Sequence, residues 1–221
     1  MCASTMQAQA AKNLFGLFGF EVRSQMDGAE RVIFPLQELA FGRADPGGGG
    51  LQAVPGQFGL VPDWVDAARG GARYGRHCYN ARTETVFEKP SFRRAILERR
   101  AVVPVDCFYE FPDKEAPLRH RFKVRSRSGG AFWLAAVWER NRALGLDSVA
   151  VLTTEAMDLV APFHSRSPVI LDNAELGAWL DPALRDPAAI ARRFAPHASE
   201  GFEVDKEPWG RPRTQGDLFE A

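Results

Sequence analysis

The sequence has little cysteine, little tyrosine and no net charge. Three cysteines in 221 residues, at positions 2, 78 and 107, are an odd and scattered set. That excludes a disulfide framework and predicts a reducing compartment, the cytoplasm. No CxxC or HExxH spacing occurs among the cysteines and four histidines, so neither a metal nor another cofactor is expected. The longest apolar runs are short and broken by glycine or arginine, which excludes a helical membrane span. The early Leu-Phe-Gly-Leu-Phe-Gly-Phe run has no small-residue cleavage site after it and does not make a secretory signal. Hydrophobic residues at 45% and charged residues at 25% are those of a globular chain, which argues against disorder, collagen-like repeats and coiled coil.

The charge balance, 28 basic against 28 acidic residues, hides a separation. Between Arg69 and Arg127 there are 15 basic and 7 acidic residues, a local charge of +8, which leaves −8 on the rest of the chain. Such a block is either a solvated face paired with acids elsewhere or the footprint of an anionic partner.

The periodicity predicts a helix over 8–18, a short strand over 31–34, a flexible Gly-rich loop over 45–50 and a helix over 91–99 capped by Ser91. The strongest strand signal is Ala101 to Phe111, where Val105, Cys107, Tyr109 and Phe111 share one face and Asp106, Phe108 and Glu110 the other. Further strands are expected over 121–125, 131–138, 148–153 and 168–171. Short helices are expected after Thr154 and Asn173, and one from the Asp186-Pro187 cap through Phe194. Many strands with few short helices predict a single α+β domain over 1–221, with a largely antiparallel sheet or barrel-like core and short peripheral helices.

Four stretches carry residues suited to chemistry. Cys2 becomes an N-terminal aminothiol if Met1 is removed; its α-amine, with a reference pKa of about 7.7 to 8.0, is a far better nucleophile at neutral pH than a lysine. Such an amine condenses with an aldehyde, and the adjacent thiol can close the imine to a thiazolidine. The alternative reading of Cys2 is an incidental residue of a chain terminus. Asn80-Ala81-Arg82-Thr83-Glu84-Thr85 offers an amide and a guanidinium suited to phosphate, or a polar turn leading into a strand. Glu110, on an apolar strand, is a candidate acid/base with a raised pKa or a buried partner for an arginine. His164-Ser165-Arg166 precedes a hydrophobic strand, with a titratable ring and a guanidinium two residues apart, or is a surface turn. His77, His120 and His197 have no comparable setting.

In order and spacing, these stretches resemble the SOS-response-associated peptidase family, proteins that crosslink covalently to abasic sites in single-stranded DNA. Gly59 to Trp64, Phe92-Arg93, Val103-Pro104, Ala135 to Glu139 and Leu152 to Thr154 complete the likeness, over nearly the whole chain. The resemblance implies that Cys2 is the nucleophile, that Asn80 positions the reacting terminus, that Glu110 is the acid/base and that His164 helps open the deoxyribose to its aldehyde. It implies DNA contacts from Arg82, Phe58 and Arg166, self-cleavage at the N-terminus, and a monomer whose partner is single-stranded DNA containing abasic sites, with no membrane. Departures stand at Ala3-Ser4 in place of Gly-Arg, at Phe58 and Phe111 in place of tryptophans, at Ser167 in place of a larger residue, and over 31–50. Two other readings use the same residues: an N-terminal-nucleophile cysteine amidohydrolase, and a non-catalytic single-strand binder in which Cys2 has no part.

Overall fold

The computed structural model describes residues 4–22, 31–112 and 120–209. Cys2, the candidate nucleophile, lies outside them. Among the described residues the elements run β1 (Ser4–Gln7), α1 (Gln9–Leu17), β2 (Phe20–Val22), β3 (Arg31–Ile33), β4 (Glu38–Ala44), β5 (Leu51–Phe58) and β6 (Asn80–Arg82). There follow α2 (Ala95–Glu98), β7 (Arg100–Val105), β8 (Cys107–Glu110), β9 (His120–Ser126), β10 (Phe132–Asn141) and β11 (Leu146–Glu155). The chain continues through β12 (Arg166–Pro168), β13 (Ile170–Leu171), α3 (Leu176–Leu180), α4 (Pro187–Ala191) and β14 (Phe202–Pro208).

The protein is mixed α+β, built on a small closed barrel. Strands pair in the order β11-β10-β7-β4-β5, and a parallel pairing of β5 with β11, Phe58 opposite Val149, closes the ring. Strict alternation fills it. Phe41, Val54, Phe58, Val103, Leu134, Trp138, Val149 and Val151 point inward as one cluster. Their neighbours in sequence, among them Ala40, Ala53, Val102, Trp133, Ala135, Ala150 and Leu152, point outward beneath Phe15, Ile96, Trp179 and Ile190. With both faces buried, the strands read as near-continuous apolar runs. A second sheet, β14-β9-β8-β1-β3, lies over one mouth of the barrel and contributes Ile33, Phe108, Val124 and Phe202 to the inner cluster.

The expected strand over 101–111 is broken at Asp106 into β7 and β8, which belong to different sheets. Asp106 is the corner: its N–H donates to the Met6 carbonyl at 2.9 Å, and its Oδ2 accepts from the Ala8 N–H at 2.5 Å, ahead of α1. Its carboxylate is thus structural. The expected helix over 91–99 shrinks to Ala95–Glu98, and Ser91 is not its cap; its Oγ lies 3.2 Å from the Tyr74 hydroxyl. After Thr154 there are turns where a helix was expected, and α4 stops at Ala191. Asp186 does cap α4, its Oδ2 accepting from the Ala189 N–H at 2.9 Å.

The +8 block is dispersed. Arg121, Arg125 and Arg127 pair with Glu207, Glu203 and Asp205 of β14, Arg94 and Arg99 pair with Glu98 and Glu139, and Arg69 pairs with Asp66. Much of the excess in that block is therefore neutralised by acids from outside it. No helix among the described residues is long and apolar enough to cross a membrane.

Candidate active site

The first strand is held against Glu110. β1 runs antiparallel to β8 with Met6 opposite Cys107, Thr5 opposite Phe108 and Ser4 opposite Tyr109, so its leading end sits one residue from Glu110. The side chain of Gln7 fixes this placement from the far end. Its amide donates to the Ala40 carbonyl at 2.7 Å and the Pro104 carbonyl at 2.9 Å, and accepts from the Ala40 N–H at 2.9 Å. A buried side chain thereby stands in for a missing ladder and ties β1 to β4 and β7.

Glu110 follows Phe108 onto the barrel side of β8 and is fully buried. Across from it, His164 is also buried, with Nε2 3.6 Å from Glu110 Oε2. The imidazole is oriented by its own turn: Nδ1 lies 3.0 Å from the Arg166 N–H, from which it accepts, and 2.9 Å from the Arg166 carbonyl. With Nδ1 accepting, the neutral ring carries its proton on Nε2, toward Glu110; the charged ring adds a donor toward the Arg166 carbonyl. The pair is thus aligned for proton exchange, which needs only a small closing of the 3.6 Å gap or one bridging water. Two rings brace it. Phe122, opposite Glu110 on β9, stacks on Phe163 at 3.8 Å with an interplanar angle of 10°.

Asn80 and Arg82 share one face of β6, with the buried Ala81 between them turned into the outer core. β6 runs parallel to β11, which sets Arg82 opposite Thr153 at the same end of the barrel as His164. A clamp joins the two motifs. The Arg166 guanidinium forks Glu84 with two bonds of 2.9 Å, and its Nη2 donates to the Thr153 carbonyl at 2.6 Å. That bonding by Arg166, with a smaller contribution from the Arg82 charge, holds the Glu84 carboxyl below the usual carboxylate range.

Arg166, a phosphate contact by resemblance, thus has most of its donors engaged by Glu84 and Thr153, with Glu84 itself at the surface. Phe58 also departs from its expected role: it is fully buried in the barrel, its ring edge-on to Tyr79 at 5.9 Å, with no face offered to a base. Phe111, in place of a tryptophan, packs on Trp209 at 5.1 Å, and Arg121 lies over Trp209 at 5.0 Å. Ser167, small where a larger side chain is usual, accepts the Met157 N–H at 3.0 Å and anchors the turn before His164. His197 lies 3.2 Å from Asp172, away from this group. The Glu84 clamp and the Phe122–Phe163 brace were missed in sequence; only the place of Glu84 in the Asn-Ala-Arg motif hinted at the former.

The described cysteines are chemically quiet. Burial pushes the Cys107 thiol up to about 11 and raises that of Cys78 as well. At pH 8 only about one Cys107 in a thousand is then thiolate. Brief iodoacetamide treatment of the folded protein at that pH should leave both peptides unmodified by mass spectrometry, and prior denaturation should expose both. Rapid labelling of either in the native state would contradict their burial.

Residues 1–207 match the family described as SOS response associated peptidase (SRAP). The chain belongs to that family. Among curated relatives, the SRAP chain is 30% identical over 151 residues to the abasic site processing protein YoqW of Bacillus subtilis, and 28% identical over 151 residues to YoaM of the same organism, also named an abasic site processing protein. The matches cover 67% of this chain and span 66% and 65% of those relatives' lengths. Two crystal structures share the SRAP chain's fold. A Bacteroides thetaiotaomicron protein has a TM-score of 0.79 at 23% identity, covering 93% of this chain and 91% of that one. A Bordetella bronchiseptica protein has a TM-score of 0.77 at 21% identity, covering 93% and 99%.

Proposed function

We propose that this SRAP protein processes abasic sites in single-stranded DNA by capturing the ring-opened sugar aldehyde on Cys2, after removal of Met1. The observation that carries the reading is the register of β1 on β8. Ser4 lies opposite Tyr109, beside the buried Glu110–His164 pair, and Cys2 is tethered two residues upstream of Ser4, a reach of at most about 7 Å. The relatives named as abasic site processing proteins and the quiet state of Cys78 and Cys107 support it.

In this reading His164 passes a proton to the ring oxygen of the abasic sugar while the anomeric hydroxyl loses one, which opens the ring to the aldehyde. The Cys2 amine adds to that carbon, and the carbinolamine loses water with Glu110 supplying the proton. Sγ then adds to the imine carbon, its proton passing to nitrogen. Amine, thiol and aldehyde become a thiazolidine plus one water, and no oxidant or metal is needed. Asn80 positions the terminus and Arg82 engages phosphate. The same Glu110 and His164 would serve the self-cleavage that the family name implies.

Incubation of the purified protein with an oligonucleotide carrying one abasic site, followed by digestion and mass spectrometry, tests this. The expected result is a heat-stable adduct on the N-terminal peptide beginning at Cys2. A protein that retains Met1 and forms no adduct, or an adduct mapped to a lysine, would overturn it.

A further inference from the structure

The closed barrel has a second mouth. Along β10 the inward-facing positions run Phe132, Leu134, Ala136 and Trp138, and the next position in that register is Arg140. On β4, Phe41 is followed in the same way by Arg43, and on β11 Val149 is preceded by Asp147. The apolar filling ends at Phe41, Trp138 and Val149, and beyond it the inner face is charged. Phe132, at the opposite end of β10, packs on Phe108 beneath the sheet that carries Glu110. Eight residues separate it from Arg140, about 26 Å along the strand.

Arg43, Trp138, Arg140 and Asp147 line a cleft of about 750 Å³ with Arg94, Arg99, Glu139, Asp63 and Arg142. One wall is balanced: Arg99 bridges Glu98 at 3.0 Å and Glu139 at 2.8 Å, and Arg94 meets Glu98 at 3.0 Å and Asp63 at 3.8 Å. The other wall is less so. Asp147 pairs with both Arg140 at 3.0 Å and Arg43 at 3.5 Å, with Asp45 a weaker attraction on Arg43, while Arg142 has no carboxylate within ion-pair distance among the described residues. Three guanidinium groups on this wall therefore share one directly paired carboxylate. Arg43 Cζ lies over the Trp138 ring, 3.9 Å from its centroid, and burial pulls its pKa below the ordinary value, a cost that the attraction of a further anion would offset. The hairpin that presents Arg142 is prebuilt. Gly145 takes a positive φ of 64°, and the Asn141 amide donates to the Pro62 and Val65 carbonyls at 2.7 Å each.

We infer that this far mouth is a second phosphate-binding site, in which Arg43, Arg140 and Arg142 hold the backbone of a nucleic-acid strand that passes around the barrel from the Glu110 end. It rests on the proposed function for the identity of the strand. At about 3.4 Å per stacked nucleotide the length of β10 alone takes roughly eight nucleotides, and the path around the barrel takes more.

The test compares unmodified single-stranded oligonucleotides of about 6 and about 20 nucleotides, shorter and longer than that path, in fluorescence anisotropy across a salt series. For the full chain, the longer one should bind more tightly, and Arg142→Glu should weaken it about tenfold and flatten its salt slope by about one, leaving the short one unchanged. Arg140→Gln, which keeps the hairpin, should act in the same direction. Unchanged binding of the long oligonucleotide by both variants would overturn the inference. Inorganic phosphate and a mononucleotide, followed by the Trp138 indole NMR signal, separate the sources. Shifts lost in Arg142→Glu alongside unaltered long-strand binding would assign the mouth to a free phosphate and overturn the strand. Adduct formation with a short abasic oligonucleotide reports on the Glu110 site alone, so failure there counts against the proposed function and failure here does not.

Discussion

Glu110→Gln is expected to slow adduct formation at saturating abasic DNA by about 10² to 10⁴-fold, the usual range for loss of a positioned acid/base. The amide has the shape of the carboxyl group, so the packing of Phe108 and the register of β1 on β8 remain. What goes is a group that can both give and take a proton 3.6 Å from His164 Nε2. DNA affinity should hold, because Glu110 is buried and carries no charge that attracts phosphate. A single-turnover time course on denaturing gels measures the rate, and anisotropy measures the affinity. The pH profile gives a separate readout: the limb contributed by Glu110 should vanish, while the limb set by the Cys2 amine, near its reference pKa of about 7.7 to 8.0, should stay. A parental rate with a parental profile would remove Glu110 from the mechanism and leave it a packing residue.

How much of this was legible before folding depended on whether a residue's neighbours in space were also its neighbours in sequence. Glu110 stood out because period-two alternation put a carboxylate on an apolar strand, and the same alternation placed it beside Phe108 on the barrel face. The break at Asp106 was hidden, since the corner is made by the backbone and carboxylate bonds to Met6 and Ala8, about a hundred residues away. β4 and β5 were not among the expected strands, and β5 carries Pro55 and Gly56, residues that weaken a strand signal. In the barrel Pro55 sits opposite Ala40, and Gly56 is a close approach: a Cβ there would fall 2.6 Å from the Phe41 ring. The charge block was visible but misleading, because β14, which zips up much of it, lies some eighty residues further along. The block held only Arg94 and Arg99 of the far mouth's paired wall, since Arg43, Arg140 and Arg142 lie outside it.

The Arg166 clamp supports an outcome that separates positioning from DNA contact. Its guanidinium is spent on Glu84 and Thr153, while its peptide group holds His164 Nδ1, so the side chain fixes the turn that orients the imidazole. Arg166→Gln should then lower the rate at saturating DNA by about 10 to 100-fold, as expected for misplacing an acid/base group, with affinity and salt slope near parental. If Arg166 instead bound phosphate, affinity would fall and the salt slope would drop by about one with the rate preserved. Glu84→Gln sharpens the contrast, because it loosens the clamp and frees the Arg166 charge: positioning predicts a slower reaction, phosphate contact a tighter complex. Acid should reproduce the Glu84 effect. The Glu84 pKa is lowered by folding, so the clamp's contribution to stability is complete above the unfolded-state value and is lost as pH falls through the depressed folded-state one. The parent should therefore lose rate through that acid window in excess of Glu84→Gln, and identical acid limbs in the two proteins would show that the clamp does not position His164.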